Sequence, residues 1–175
     1  MNQRVLNVLF LCTHNSARSV LAESILRHDG AGRFRAFSAG SSPKSSVNPM
    51  AVQVLDELGY PTAELASKSW DVFEAADAPT MDIVITVCDN AAGEVCPIWP
   101  GRPVTAHWGI EDPSAAQGSE LDRKRAFMTA FRYLKNRMGA LIALPTDRLD
   151  GLSLRDELKK IGRSEGATAA SRDAT

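Results

Sequence analysis

Near its beginning the chain places a short apolar run, Val5-Leu6-Asn7-Val8-Leu9-Phe10-Leu11, directly before Cys12-Thr13-His14-Asn15-Ser16-Ala17-Arg18, and that junction constrains the fold more than any other segment. The run is rich in Val, Leu and Phe and nearly continuous in its apolar character, the pattern of a strand buried on both faces of a parallel sheet. From Ser19 the spacing changes. Leu21 and Ile25 fall on one helical face, and Gly30 and Gly32 supply a stop. A buried strand, a polar loop and a helix N-terminus in succession form the place where open α/β sheets bind ligands. Loop N–H groups converge there on an anion, the helix dipole adds positive potential, and Arg18 offers a planar fork to two oxygens.

The remaining pattern extends the same architecture. Phe34 to Ala39 reads as a second strand, and Asn48-Pro49 starts a helix carrying Val52, Leu55 and Leu58 and closed by Gly59. Asp82 to Val87 reads as a third strand and Pro103 to His107 as a fourth, with irregular chain from Cys88 to Gly101. Ser119-Glu120-Leu121-Asp122 resembles a capping box at the head of a long helix, in which Phe127, Phe131, Leu134, Met138 and Leu141 recur at helical spacing. Leu152 to Ile161 suits a short helix, whereas Gly162 to Thr175 has nothing to bury. The expected fold class is α/β, a small doubly wound, mostly four-stranded parallel sheet with helices on both faces. The expected division is a catalytic domain over 1–145 and a C-terminal extension over 146–175, a short helix followed by a disordered tail.

Composition matters mainly for what it excludes. Twenty Lys and Arg against twenty-one Asp and Glu give a net charge of −1, which argues against non-specific nucleic-acid binding and against a polybasic membrane-surface protein. The N-terminal apolar run is interrupted by Asn7 and leads into polar residues, so it reads as a strand and not as a secretory signal. Three cysteines, an odd number in a chain of this length, make a disulfide scaffold a poor reading and suggest reduced thiols in the cytoplasm. Cys12 stands where a helix N-terminus and Arg18 lower a thiol's pKa, so it is expected to be a thiolate nucleophile aimed at the anion's central atom. The plainer alternative is an apolar residue ending the strand. His14 has no assigned chemistry. Cys88 follows the third strand and should emerge at the same sheet edge as Cys12; it and Cys96 can equally be small core residues, or zinc ligands with Cys12 and His107, although no C-x-x-C knuckle supports zinc.

Leu9 to Ser19 followed by Ala22-Glu23, together with Ser38-Ala39-Gly40, resembles the low-molecular-weight protein tyrosine phosphatase fold family, and within it the thiol-dependent arsenate reductases. The likeness covers roughly residues 4 to 142. It implies an oxyanion-binding loop of Thr13, His14, Asn15, Ser16, Ala17, Arg18 and Ser19, with Asn15 and Ser19 shaping the loop or supporting the nucleophile. It further implies Cys12 as nucleophile, Cys88 as resolving thiol, Cys96 as the thiol that takes over the bond with Cys88, and Asp112 of the Asp112-Pro113 pair as general acid. Ser114-Ala115-Ala116 stand where phosphatases of this fold carry aromatic residues, which favours a bare oxyanion over a phosphotyrosine. Some relatives hold a potassium ion, which would fall near Asn15, Glu23, Ser38 and Asp71. No bound cofactor is implied. Electrons would come from thioredoxin or from glutathione with glutaredoxin, and the alternatives are a phosphatase of this family or a non-catalytic oxyanion or redox sensor.

Overall fold

Every strand runs the same way, and the sheet order is β2-β1-β3-β4, with β1 spanning Leu6–Cys12, β2 Phe34–Gly40, β3 Ile83–Thr86 and β4 Val104–His107. The computed structural model describes residues 4–93 and 99–173. β1 sits at the centre because it is apolar on both faces, and Val8, Leu9, Phe10 and Leu11 are all fully buried. The register pairs Cys12 with Gly40, Leu11 with Thr86 and Thr86 with His107, so the carboxyl ends of all four strands meet at one edge.

The helices are α1 Arg18–Asp29, α2 Pro49–Glu57, α3 Asp89–Gly93, α4 Glu120–Ala143, α5 Gly151–Gly162 and α6 Ala169–Asp173. Most begin where the local chemistry directs. Asn48 accepts from the Met50 amide ahead of Pro49, Ser119 and Asp122 complete a reciprocal capping box, and Asp150 accepts from Ser153. α1 differs in that Ala17 gives no side-chain cap, which leaves its first amides facing the loop before it.

Leu21, Ile25, Val54, Leu55, Phe131, Leu134 and Met138 bury the Val8 and Phe10 side of the sheet. The Leu9 and Leu11 side is closed by Phe73 from a 3-10 turn at Trp70–Phe73, with Met81, Trp99, Phe37 and Trp70. Aromatic side chains and a single turn fill a space that a longer helix would otherwise occupy. Within the stretch expected to be irregular, residues 89–93 form α3; a five-residue helix is too short to show a hydrophobic period.

The tail departs from expectation. α5 packs on β4, Trp108 donates its indole N–H to the Leu158 carbonyl at 2.8 Å, and a Cβ on Gly162 would stand 2.6 Å from the His107 carbonyl oxygen. Beyond it Ala167 pairs with Ile110, and Ser171, only 2% exposed, donates to the carbonyls of His107 and Gly162 at 2.9 Å each. Residues 163–173 bury little hydrophobic surface, yet they satisfy backbone groups at the end of β4, a role that composition does not reveal.

One buried side chain opposes stability. Arg137 on α4 is fully buried, none of its guanidinium nitrogens has a hydrogen-bond partner among the described residues, and burial pushes its pKa down to about 10. Arg137→Met should therefore raise stability by about 1–3 kcal/mol, seen as a higher midpoint in thermal denaturation; a lowered midpoint would contradict the orphaned charge.

Candidate active site

The loop between β1 and α1 is shaped by the groups that hold its carbonyls. The amides of Ser42, Lys44 and Asn48 donate to the carbonyls of Thr13, His14 and Ser16 at 2.9, 3.1 and 2.9 Å, and Ser67 Oγ adds a bond to the His14 carbonyl at 2.9 Å. Carbonyls tied on the outer side turn the loop's N–H groups inward, the arrangement of an anion nest. Gly40 presses against this loop from β2. A Cβ there would lie 2.5 Å from the Thr13 carbonyl oxygen and 2.9 Å from that of Cys12, so only glycine permits the approach.

Asn15 supplies the curvature. Its φ of 46° is in the left-handed region, and its fully buried amide group donates to Ser19 Oγ at 2.8 Å and Ser38 Oγ at 2.9 Å while accepting from the Lys68 amide at 2.9 Å. Ser38 in turn donates to Glu23, whose other oxygen takes Arg27 Nη2 at 2.6 Å; Lys68 Nζ stands 3.7 Å from Glu23. Burial lowers the Lys68 pKa, with Glu23 opposing that shift. Asn15, Glu23 and Ser38 thus come together; Asp71 is the second residue of the 3-10 turn, its amide bonded to Ser69 Oγ, and Lys68 and Arg27 are cations beside Glu23. Arg27 stands four residues after Glu23 on α1, a pairing helical spacing could have shown, whereas Lys68 carries no local signal.

Cys12 and Cys88 are both buried and unoxidised. A hydrogen bond shared between the two thiols dominates the electrostatics of both. That bond lowers the Cys88 thiol from 9.0 to about 5 against the opposing effect of burial, with Thr13 Oγ1 at 3.6 Å, the Ala91 amide at 3.4 Å and Arg18 adding to the shift. The same bond, and then burial, pushes the Cys12 thiol far up against the influence of Arg18. The two sulfurs therefore titrate as one unit that gives up its first proton easily and keeps its second. Cys12 and Cys88 share that first charge, so the thiolate expected at Cys12 depends on its neighbour as well as on Arg18 and the loop. Cys88 Sγ also caps α3 by accepting from Ala91.

Arg18 reaches across to the loop after β4, donating to the Ile110 carbonyl at 3.0 Å and lying 3.6 Å from Asp112 Oδ2. Asp112 has two roles in one group. Its Oδ1 accepts from the Ser114 amide and hydroxyl at 2.9 and 2.7 Å, which leaves Oδ2 toward the guanidinium. Arg18, Cys88 and Asp112 line a cleft of about 560 Å³, whose far wall is Gly166 to Ala169 from the C-terminal extension. His14 bonds the Ser42 carbonyl through Nδ1 at 3.1 Å, so its ring points to the supporting segment. Cys96 lies outside the described residues. Among the described residues no group of three or more His, Cys, Asp or Glu could hold a metal ion, and no helix is long and apolar enough to cross a membrane.

Residues 7–151 match the family model for low molecular weight phosphotyrosine protein phosphatases. An arsenate reductase of Halalkalibacterium halodurans is 33% identical over 142 residues, covering 81% of this chain and 94% of that protein. Among solved structures, an arsenate reductase in the phosphate binding state superposes with a TM-score of 0.65 at 30% identity, covering 79% of this chain and 98% of the other. A thioredoxin-dependent arsenate reductase of Corynebacterium glutamicum gives a TM-score of 0.58 at 25% identity, over 81% of this chain and 62% of that one.

The shared proton predicts a thiolate ultraviolet absorbance that rises with a midpoint near pH 5 and is lost in Cys88→Ser. A first step centred near 9 would reject the coupling.

Proposed function

The chain belongs to the low molecular weight phosphotyrosine protein phosphatase family, and from that premise we propose that it is an arsenate reductase, in which two neighbouring thiols convert arsenate to arsenite. The observation that carries this reading is that a second thiol, Cys88, lines one cleft with Arg18 and lies 3.6 Å from the hydroxyl of Thr13, the residue next to Cys12. Hydrolysis of a phosphoester uses one nucleophilic thiol, whereas a two-electron reduction by thiols consumes two.

The chemistry follows from the geometry. Arsenate enters the nest of loop amides, and Arg18 takes two of its oxygens, which holds the negative charge where it grows. As the Cys12 proton passes to Cys88, Cys12 Sγ attacks As(V); an S–As bond forms and an As–O bond breaks, the oxygen leaving as water with a proton from Asp112. Cys88 then releases its proton to solvent and attacks Cys12 Sγ. An S–S bond forms, the S–As bond breaks with its electron pair going to arsenic, and As(III) departs as arsenite. Cys96 attacks Cys88 Sγ, frees Cys12 as a thiolate, and leaves a Cys88–Cys96 disulfide for an external dithiol to reduce. Thioredoxin is the proposed dithiol, supported by the Corynebacterium relative described as thioredoxin-dependent.

Ser114, Ala115 and Ala116 follow the Asp-Pro pair and offer no ring to stack on an aryl leaving group, which suits a bare tetrahedral oxyanion. The test is direct. Purified protein with thioredoxin, thioredoxin reductase and NADPH should release arsenite, Cys12→Ser should reduce the rate to background, and Cys88→Ser should stall at a single covalent adduct seen by mass spectrometry. Rapid aryl phosphate hydrolysis without arsenite would reject the reductase. Full turnover of Cys96→Ser with glutathione and glutaredoxin would reject the thioredoxin route.

A further inference from the structure

The family model ends at residue 151, yet the chain continues through α5 and α6 and returns to the rim of the site. At that rim Thr168 donates from Oγ1 to Asp89 Oδ1 at 2.8 Å, and the same oxygen of Asp89 accepts His107 Nε2 at 2.8 Å. His107 Nδ1 meets Thr86 Oγ1 at 2.7 Å, so β3, β4, the head of α3 and the C-terminal extension share one hydrogen-bonded node. Backbone contacts register the extension against β4: the Thr168 amide donates to the Gly109 carbonyl at 3.0 Å, and Ile110 pairs with Ala167. The packing leaves no slack. A Cβ on Gly109 would lie 2.4 Å from Asp89 Oδ1 and 2.6 Å from Thr168 Oγ1, and one on Gly166 would lie 2.3 Å from the Tyr133 ring.

Asp89 is the first residue of α3 and directly follows Cys88. We infer that residues 163–172 form a latch on the Cys88 helix, with Thr168 as a positioning residue that holds Asp89, and through it Cys88 Sγ, in line with Cys12. This rests on the reading of Cys88 as the resolving thiol. The physical basis is that α3 has five residues, too few to persist alone, so its placement depends on the bonds at its head. The bonds at its head include the Ala91 amide to Cys88 Sγ, which is internal, and two external contacts, Thr13 Oγ1 to Cys88 Sγ at 3.6 Å and the Thr168–Asp89–His107 node. The node is the contact that reaches Asp89 itself and ties the helix to β4 and the C-terminal extension. A misplacement of about 1 Å lowers the effective molarity of an attacking group by roughly a hundredfold at the extreme, so loss of one of several restraints should cost less than that.

Thr168→Val removes the hydroxyl and keeps the shape. In the reduced protein without arsenate, hydrogen exchange at the Asn90 to Gly93 amides should quicken about tenfold, while Thr168→Ser stays within about twofold of wild type. In steady state, kcat for arsenate should fall about three- to tenfold with KM unchanged within about twofold, because the anion loop is untouched. Asp89→Ala should match Thr168→Val in exchange, and the double variant should be no worse than Asp89→Ala alone. Equal exchange in Thr168→Val and wild type would overturn the latch, as would Thr168→Ser behaving like Thr168→Val. A rise in KM with unchanged kcat would also overturn it. If wild type yields no arsenite, the function fails by that assay alone, and hydrogen exchange still decides the latch.

Discussion

The left-handed turn at Asn15 is the constraint on which the site depends. L-residues other than glycine resist that conformation, and here the cost is offset by three hydrogen bonds from one buried amide group: to Ser19 on α1, to Ser38 on β2, and from the Lys68 backbone. Each partner belongs to a different element. The loop therefore keeps its curvature only while α1, β2 and the segment before the 3-10 turn stay in place, and the reverse holds as well. Gly40 reinforces this from below by letting β2 approach to within contact of the loop backbone.

A second dependence runs between the sulfurs. A nest of N–H groups with an arginine would ordinarily favour a thiolate at Cys12. Cys88 shares that charge, with donors of its own in Thr13 Oγ1 and the Ala91 amide. The pair thus stores one negative charge at a point from which a short proton shift delivers it to either sulfur. A two-step exchange uses both sulfurs in turn, and this shared charge lets Cys88 take up the Cys12 proton in the first of them.

Much of this was legible in the sequence, for identifiable reasons. β1 announces itself because a strand buried on both faces must be apolar throughout, and α2 and α4 because Asn48-Pro49 and Ser119 with Asp122 encode their own starts. That Arg18, Cys88 and Asp112 line one cleft, at the sheet edge where β1 ends in Cys12, follows from strand order, which local spacing indicated. What stayed hidden was decided by tertiary partners. Lys68 reaches Glu23 only because the loop after α2 folds back, and the coupling of the two thiols depends on β1 and β3 lying side by side. The tail from Gly162 looked inert because hydropathy registers buried carbon, whereas Ser171 and Thr168 act through carbonyls and a carboxylate.

The dressing of β4 by α5 and α6 has a further consequence, in the order of synthesis. The last strand is complete at His107, but its cover begins only at Gly151, and the Ser171 bond to the His107 carbonyl comes later still. A ribosome therefore exposes the outer side of the sheet for the whole time needed to make α4 and the turn after it. An uncovered strand edge is a template for pairing with another chain. Nascent chains stalled or cleaved in that interval are the ones most prone to aggregate, and the C-terminal helices close that window last.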